Sequence, residues 1–138
     1  MNMEYNTNRG TMAYTALIVD DDEHTRIIYE RILKHAGFQV SLASDGAQAL
    51  ELLEHHSADI LFLDILLPKV NGTVVLNYIQ DASHLTDMYV VIVSAHNRFE
   101  RSAEIKRANE FFVKPVRPME IEEVARRVIA HLAAQSNN

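Results

Sequence analysis

The sequence predicts an α/β fold, a parallel sheet covered by helices on both faces. Three observations predict it. Five short apolar runs alternate with five amphipathic runs along the chain. The runs around Ile18, Leu61 and Val91 are apolar throughout, as central strands buried on both faces must be. The length of 138 residues, with 48% hydrophobic and 23% charged, suits one domain with a real core.

The elements follow in order. Ala16-Leu17-Ile18-Val19 is the first strand and ends in Asp20-Asp21-Asp22. A helical pattern runs from Glu23 to Ala36, with Ile28, Ile32 and Ala36 on one face and Tyr29 and Leu33 beside them. Asp22 can cap this helix and Gly37 can stop it. Phe38 to Leu42 alternates with period two, so this strand has one apolar face and belongs at a sheet edge. Ser44 or Asp45 caps a second helix, which passes through Leu50 and Leu53 to about His55. Asp59 to Asp64 is a short, nearly continuous apolar run. The loop Leu67-Pro68-Lys69-Val70-Asn71-Gly72 leads to a helix from Thr73 to Gln80. Met88 to Val93 forms the fourth strand, closed by Ser94. Asn97 to Ala108 reads as a helix with a thin apolar face of Phe99, Ala103 and Ala108, and Ile105 offset from it. Phe111-Phe112-Val113 is a short strand ending in Lys114-Pro115. The last helix starts near Pro118 and carries one stripe of Ile121, Val124, Ala125, Val128 and Leu132. Residues 1–13 are expected to be a flexible tail, 14–134 the domain and 135–138 a short C-terminal tail, with Met12 as a second candidate start.

Composition removes several function classes. The chain has no cysteine, which excludes disulfides, thiolate catalysis and Cys-ligated zinc. Thirteen basic against nineteen acidic residues give a net charge of −6, which speaks against direct nucleic-acid binding. No stretch approaches the roughly 18 apolar residues of a membrane span. The polar N-terminus has no apolar signal region, so a cytoplasmic protein without membrane attachment is expected.

In an open parallel sheet, ligands bind outside the carboxyl ends of the strands. Those ends carry Asp20, Asp21 and Asp22, then Ser44, Asp64, Ser94 and Lys114. If two of the central strands are neighbours, Asp20, Asp21 and Asp64 converge. Crowded carboxylates must take up protons or a cation, and oxygen-only ligands select a hard ion such as Mg²⁺. A lysine to pair with a carboxylate or phosphate, and a serine hydroxyl to donate to one, complete a set suited to phosphoryl transfer. Asp64 is the natural nucleophile. Asp22 and Glu23 are explained as a helix cap with favourable charge, whereas Asp20, at the end of a buried strand, needs a partner. His55 and His56 are adjacent on a helix and point apart, so they do not form a metal pair.

These residues, Leu17-Ile18-Val19-Asp20-Asp21, Leu63-Asp64 with Leu67-Pro68 and Gly72, Ser94-Ala95, and Lys114-Pro115, resemble the pattern of a response-regulator receiver domain, the phosphoacceptor half of two-component signalling in the CheY-like superfamily. The resemblance spans about Tyr14 to Ala133. It implies a doubly wound, flavodoxin-like sheet of five strands in the order 2-1-3-4-5 with five helices on both faces. It implies Asp64 as phosphoacceptor and metal ligand. Asp20 and Asp21 would hold Mg²⁺ (or Mn²⁺), Asp21 directly and Asp20 through water, with the Leu66 backbone carbonyl as a further ligand. Ser94 matches the switch hydroxyl, Lys114 the site lysine, and Phe111 the aromatic whose rotamer follows phosphorylation; the Lys114–Pro115 bond would be cis. Leu66 and His96 stand at two positions that tune the site. Because Leu66 offers no polar group to orient water, slow to moderate self-dephosphorylation is expected. Arg107 stands where glycine is typical, which puts the local turn in question.

The function so implied is a stand-alone receiver that takes a phosphoryl group from a sensor histidine kinase or phosphotransfer protein. It would signal through the surface of the 97–108 helix, the 111–113 strand and the last helix, acting on no substrate but its own phosphorylation and dephosphorylation. The downstream target, and whether a phosphorylation-dependent homodimer forms, stay open. Two alternatives remain: a phosphorylation-independent interaction module on the same fold, and a small haloacid-dehalogenase-type phosphohydrolase using Asp20 and Asp22, which would make Asp64 redundant.

Overall fold

Five strands, β1 (Tyr14–Val19), β2 (Phe38–Ala43), β3 (Ile60–Leu63), β4 (Tyr89–Ser94) and β5 (Glu110–Val113), form one parallel sheet in the order β2-β1-β3-β4-β5. The computed structural model describes residues 14–96 and 105–136. Among these lie four α-helices: α1 (Glu23–Ala36), α2 (Gly46–His55), α3 (Gly72–Asp81) and α4 (Pro118–Ser136). The helix expected over Asn97–Ala108 falls largely on residues 97–104, outside the described residues. No described helix is long and apolar enough to cross a membrane.

The wholly apolar runs became the inner strands, and the alternating run became edge strand β2. Successive strand side chains point to opposite faces, so the sheet divides the interior in two. On one face Ala16, Ile18, Ile60, Phe62, Val91 and Val93 pack under α1 and α4. On the other, Leu17, Val19, Leu61, Leu63, Val90 and Ile92 pack under α2 and α3.

Local chemistry sets the helix ends. Asp22 caps α1 by accepting from the Thr25 amide, and Gly37 ends it in the left-handed region at φ 113°, its amide donating to the Leu33 and Lys34 carbonyls. Of the two candidates for α2, Asp45 is the cap and accepts from the Gln48 amide at 2.8 Å. Ser44 completes the turn by donating to Gln48 Oε1. Asn71 caps α3, and a 3-10 turn at Ser83–Leu85 then buries Leu85 before β4.

Two expectations need correction. The α1 face led by Ile28 is not the buried one: Tyr29 and Leu33 are buried, Ile32 and Ala36 partly so, while Ile28 is 47% exposed. The apolar stripe is wider than the contact, and the helix is rolled so that Tyr29 meets Phe62 edge-on at 5.9 Å between ring centres. Ile105, expected to lie off the apolar face, is buried against the α2–α3 side. It opens a turn closed by the Ala108 amide on the Ile105 carbonyl.

Arg107 follows in that turn and needs no glycine flexibility. Its guanidinium donates to the carbonyls of Leu85, Thr86 and Met88, at 3.0, 3.2 and 2.8 Å. Asn109 then joins β4 through both its amide and its side-chain oxygen on Val90. An arginine thus fastens the approach to β5 onto the approach to β4.

The roll of α1 has a measurable result. Leu33→Ala should lower the stability of the folded chain by about 2–5 kcal/mol in urea unfolding, whereas Ile28→Ala should change it by less than about 0.5 kcal/mol.

Candidate functional site

The carboxyl ends of β1, β3, β4 and β5 meet along one edge of the sheet. Val19 pairs with Leu63, so the residues that follow, Asp20 and Asp64, leave the sheet side by side. The Asp64 amide donates to the Val19 carbonyl at 2.9 Å and the Asp20 amide to the Ala43 carbonyl at 3.1 Å. Both side chains are buried, Asp20 at 2% and Asp64 at 6% exposure. Asp21 is exposed at the rim. Oxygens of Asp20, Asp21 and Asp64 all lie within 4.8 Å of one another. The three acids come from two neighbouring strand ends, as the convergence argument requires.

Lys114 reaches into this group from the end of β5. Its Nζ donates to Asp20 Oδ2 at 3.0 Å and to Asp64 Oδ2 at 3.3 Å. Its amide donates to the Ser94 carbonyl at 2.8 Å, and the bond to Pro115 is cis. Ser94 is fully buried at the end of β4, and its Oγ accepts from the His96 amide at 3.2 Å. His96 itself is exposed. Leu66, 37% exposed, follows Asp64 by two residues and donates its amide to Asp64 Oδ1 at 3.2 Å. Phe111 pairs with Ile92 in the sheet and is partly buried against the α2–α3 side.

Asp20 is held at every polar atom. Besides its amide, its Oδ1 accepts from the Asp22 amide at 2.9 Å, its Oδ2 from Lys114, and its carbonyl from Arg26 Nη1 at 2.7 Å. Asp22 is spent on α1: Oδ2 takes both the amide and the hydroxyl of Thr25, and those bonds hold its carboxyl below the usual carboxylate range. The acidic triplet therefore splits, with Asp22 in the helix cap and Asp20 and Asp21 in the cluster.

Electrostatics distinguish the cluster's members. Burial pushes the Asp64 carboxyl above its ordinary value; the Lys114 charge opposes this and the Asp20 charge adds to it. Burial alone would lower Lys114, but the hydrogen bond and charge of Asp20, with the charge of Asp64, outweigh it and hold the ammonium above the ordinary lysine value. The two directions are compatible because one ammonium serves two acids. Asp20 has the shorter bond, and Asp64 has the longer one and a like charge beside it.

Two residues that sequence reasoning passed over also shape the site. Arg26 is one; a cation near a helix N-terminus runs against the helix dipole, and that mismatch was the available signal of a fixed partner. Gly46, in the run Ser44-Asp45-Gly46, is the other. A Cβ there would lie 2.7 Å from the Val70 carbonyl carbon and closer still to its oxygen. Gly72 likewise admits the chain leaving Asp64: a Cβ on it would stand 2.7 Å from Ile65 Cα.

A carboxyl that binds its proton more tightly folded than unfolded costs stability when ionised. For Asp64 that cost is absent below the unfolded value of 3.8 and complete above the raised folded value. Asp64→Asn should therefore melt above the wild type at neutral pH in the presence of a chelator. The gap should close as pH is lowered toward 3.8; a variant that melts lower at neutral pH would contradict this.

Comparison with known proteins places this arrangement. Residues 16–126 match the model of the response regulator receiver domain. The chain is similar to two-component response regulator ORR3 of Oryza sativa subsp. indica, 30% identical over 117 residues, covering 82% of this chain and 88% of the relative. It is 33% identical over 117 residues to ORR11 of Oryza sativa subsp. japonica, covering 82% of this chain and 79% of the relative. In structure it resembles chemotaxis response regulator CheY4 of Vibrio cholerae, with TM-score 0.76, 24% identity, and coverage of 85% of this chain and 99% of that one. It also resembles TrrA of Thermotoga maritima, solved in complex with Mg(2+)-BeF, with TM-score 0.75, 23% identity, and coverage of 83% and 98%. Matched over most of its length, with the same five-stranded architecture, the chain belongs to the response regulator receiver domain family of two-component signalling.

Proposed function

We propose that this receiver accepts a phosphoryl group on Asp64 from a phosphohistidine donor, a sensor histidine kinase or a phosphotransfer protein, with Mg²⁺ as cofactor. The observation that carries the reading is the cluster itself: three carboxylates within 4.8 Å and one lysine bonded to the two buried ones. Two neighbouring buried acids facing one ammonium leave an uncompensated negative charge, which suits a hard divalent ion. Asp20, Asp21, Asp64 and the Leu66 carbonyl would hold it. The TrrA complex supports Mg²⁺ as the ion in a protein of this fold. A bound divalent ion supplies positive charge to the oxygens of the phosphoryl group in flight.

The chain's own residues do the rest. An Asp64 carboxylate oxygen attacks phosphorus; the new P–O bond forms as the P–N bond to the donor imidazole breaks. The electron pair stays on the imidazole nitrogen. Lys114 exchanges its longer bond to Asp64 for one to a phosphoryl oxygen while keeping Asp20. Ser94, whose Oγ accepts from the His96 amide, still has its hydroxyl proton to donate to a second phosphoryl oxygen. Lys114 and Ser94 are joined by backbone, so movement at either reaches β5 and the partly buried Phe111. Among the described residues, the altered surface would lie around β5 and α4. The domain would act in the cytoplasm, through protein contact rather than turnover of a substrate. The phosphohydrolase alternative is disfavoured because Asp22, its second acid, is committed to the cap of α1.

Acetyl phosphate with Mg²⁺ should add one phosphoryl group to the intact chain, read by mass spectrometry, and Asp64→Asn should abolish it; an unchanged mass in the wild type, or a gain that survives the substitution, contradicts the reading. Leu66 brings no polar side chain beside Asp64. The phosphoryl group should therefore persist for minutes or longer in the purified protein, followed by loss of label, and decay within seconds would show that another group activates water.

A further inference from the structure

The loop that follows Asp64 is pinned on its inner side, where Gly72 donates its amide to the Ile65 carbonyl at 2.8 Å and Leu67 donates to the same oxygen at 3.1 Å. On its outer side it rests on the first turn of α2. Gly46 lies against Val70 so closely that a Cβ would meet the carbonyl carbon at 2.7 Å and Val70 Cβ at 2.9 Å. Such distances are inside van der Waals contact, and the obstructing atoms are mostly backbone, which cannot rotate away. Beside this contact Lys69, at φ 64°, reaches Asp45 Oδ2 at 3.6 Å. The loop is thus held between α2 and the sheet.

We infer that Gly46 is a positioning residue for divalent-cation binding: its lack of a side chain seats the loop of residues 66–71 on α2, and this seating sets how close the Leu66 carbonyl stands to Asp20, Asp21 and Asp64. The inference rests on the metal-binding reading above. Gly46 has no side chain with which to bind an ion, and its role is indirect. It acts by limiting how far the loop can fall back from them, and an alanine there must push Val70 outward. Metal sites feel such displacement because Mg²⁺ requires oxygens at about 2.0–2.1 Å in octahedral array, whereas Ca²⁺ accepts about 2.3–2.6 Å and irregular geometry.

The test is calorimetric titration of the full chain with Mg²⁺ and with Ca²⁺, for the wild type, Gly46→Ala and Asp21→Ala. Gly46→Ala, shown folded by a cooperative melt, should bind Mg²⁺ about tenfold more weakly, the scale seen when supports of metal ligands are lost. Its preference for Mg²⁺ over Ca²⁺ should fall as well. General destabilisation would lower the melting point and leave the ratio of the two affinities alone. A loss of Mg²⁺ affinity under about threefold, or an unchanged Mg²⁺ to Ca²⁺ ratio, overturns the inference.

A wild-type measurement covers the case in which the variant does not fold. The Gln48 and Ala49 amides, bonded to the Asp45 side chain and carbonyl, should exchange with deuterium more slowly when Mg²⁺ is added, because coupling between two sites is reciprocal. Slower exchange at Leu66 with none at Gln48 and Ala49 overturns the inference. Should Asp21→Ala bind Mg²⁺ as the wild type does, the metal-binding reading itself fails, separately from the role of Gly46.

Discussion

Two acids buried side by side at the ends of adjacent strands are the constraint on which this molecule is built. Carboxylates removed from water are costly unless charge and hydrogen bonds compensate them. Here Lys114 bonds both, Asp22 and Leu66 lend amides, and Arg26 secures the main chain behind Asp20. The compensation is uneven, and Asp64 receives less of it. The less satisfied of the two buried acids is therefore the one that the proposed phosphoryl transfer would use as nucleophile. A parallel sheet makes this possible, since every strand ends on the same edge and acids and a lysine from distant stretches of sequence can face one another without a loop to carry them.

The fold was legible because its signals are periodic and local. Fully apolar runs announced β1, β3 and β4, and the alternating run announced the edge position of β2. Asp22, Gly37 and Pro118 marked helix boundaries by their backbone chemistry. The order of the strands was of another kind: periodicity says that strands exist, while the order 2-1-3-4-5 came with the resemblance. The grouping of acids at strand ends was legible for the same reason, given that two central strands adjoin.

What stayed hidden depends on close approach in three dimensions. The roll of α1 is set by where Phe62 lies under Tyr29, so the sequence could not say that Ile28 faces outward. Ile105 looked misplaced on a helical wheel because it packs from a turn. Arg107 looked wrong for a turn until three carbonyls were found around its guanidinium. Gly46 gave no signal because what matters about it is an absent atom, and only the position of Val70 shows why that atom has no room.

The sheet, finally, is a partition. Among the described residues, the side chains under α1 and α4 and those under α2 and α3 belong to separate apolar compartments divided by the strand backbones. Changes in volume on one side meet none of the side chains of the other, so their energetic costs should sum rather than interfere. Sequence drift can thus remodel the helix surface of one compartment while the opposite wall keeps its packing, and the acid-lined rim, anchored to the strand ends common to both, is carried through unchanged.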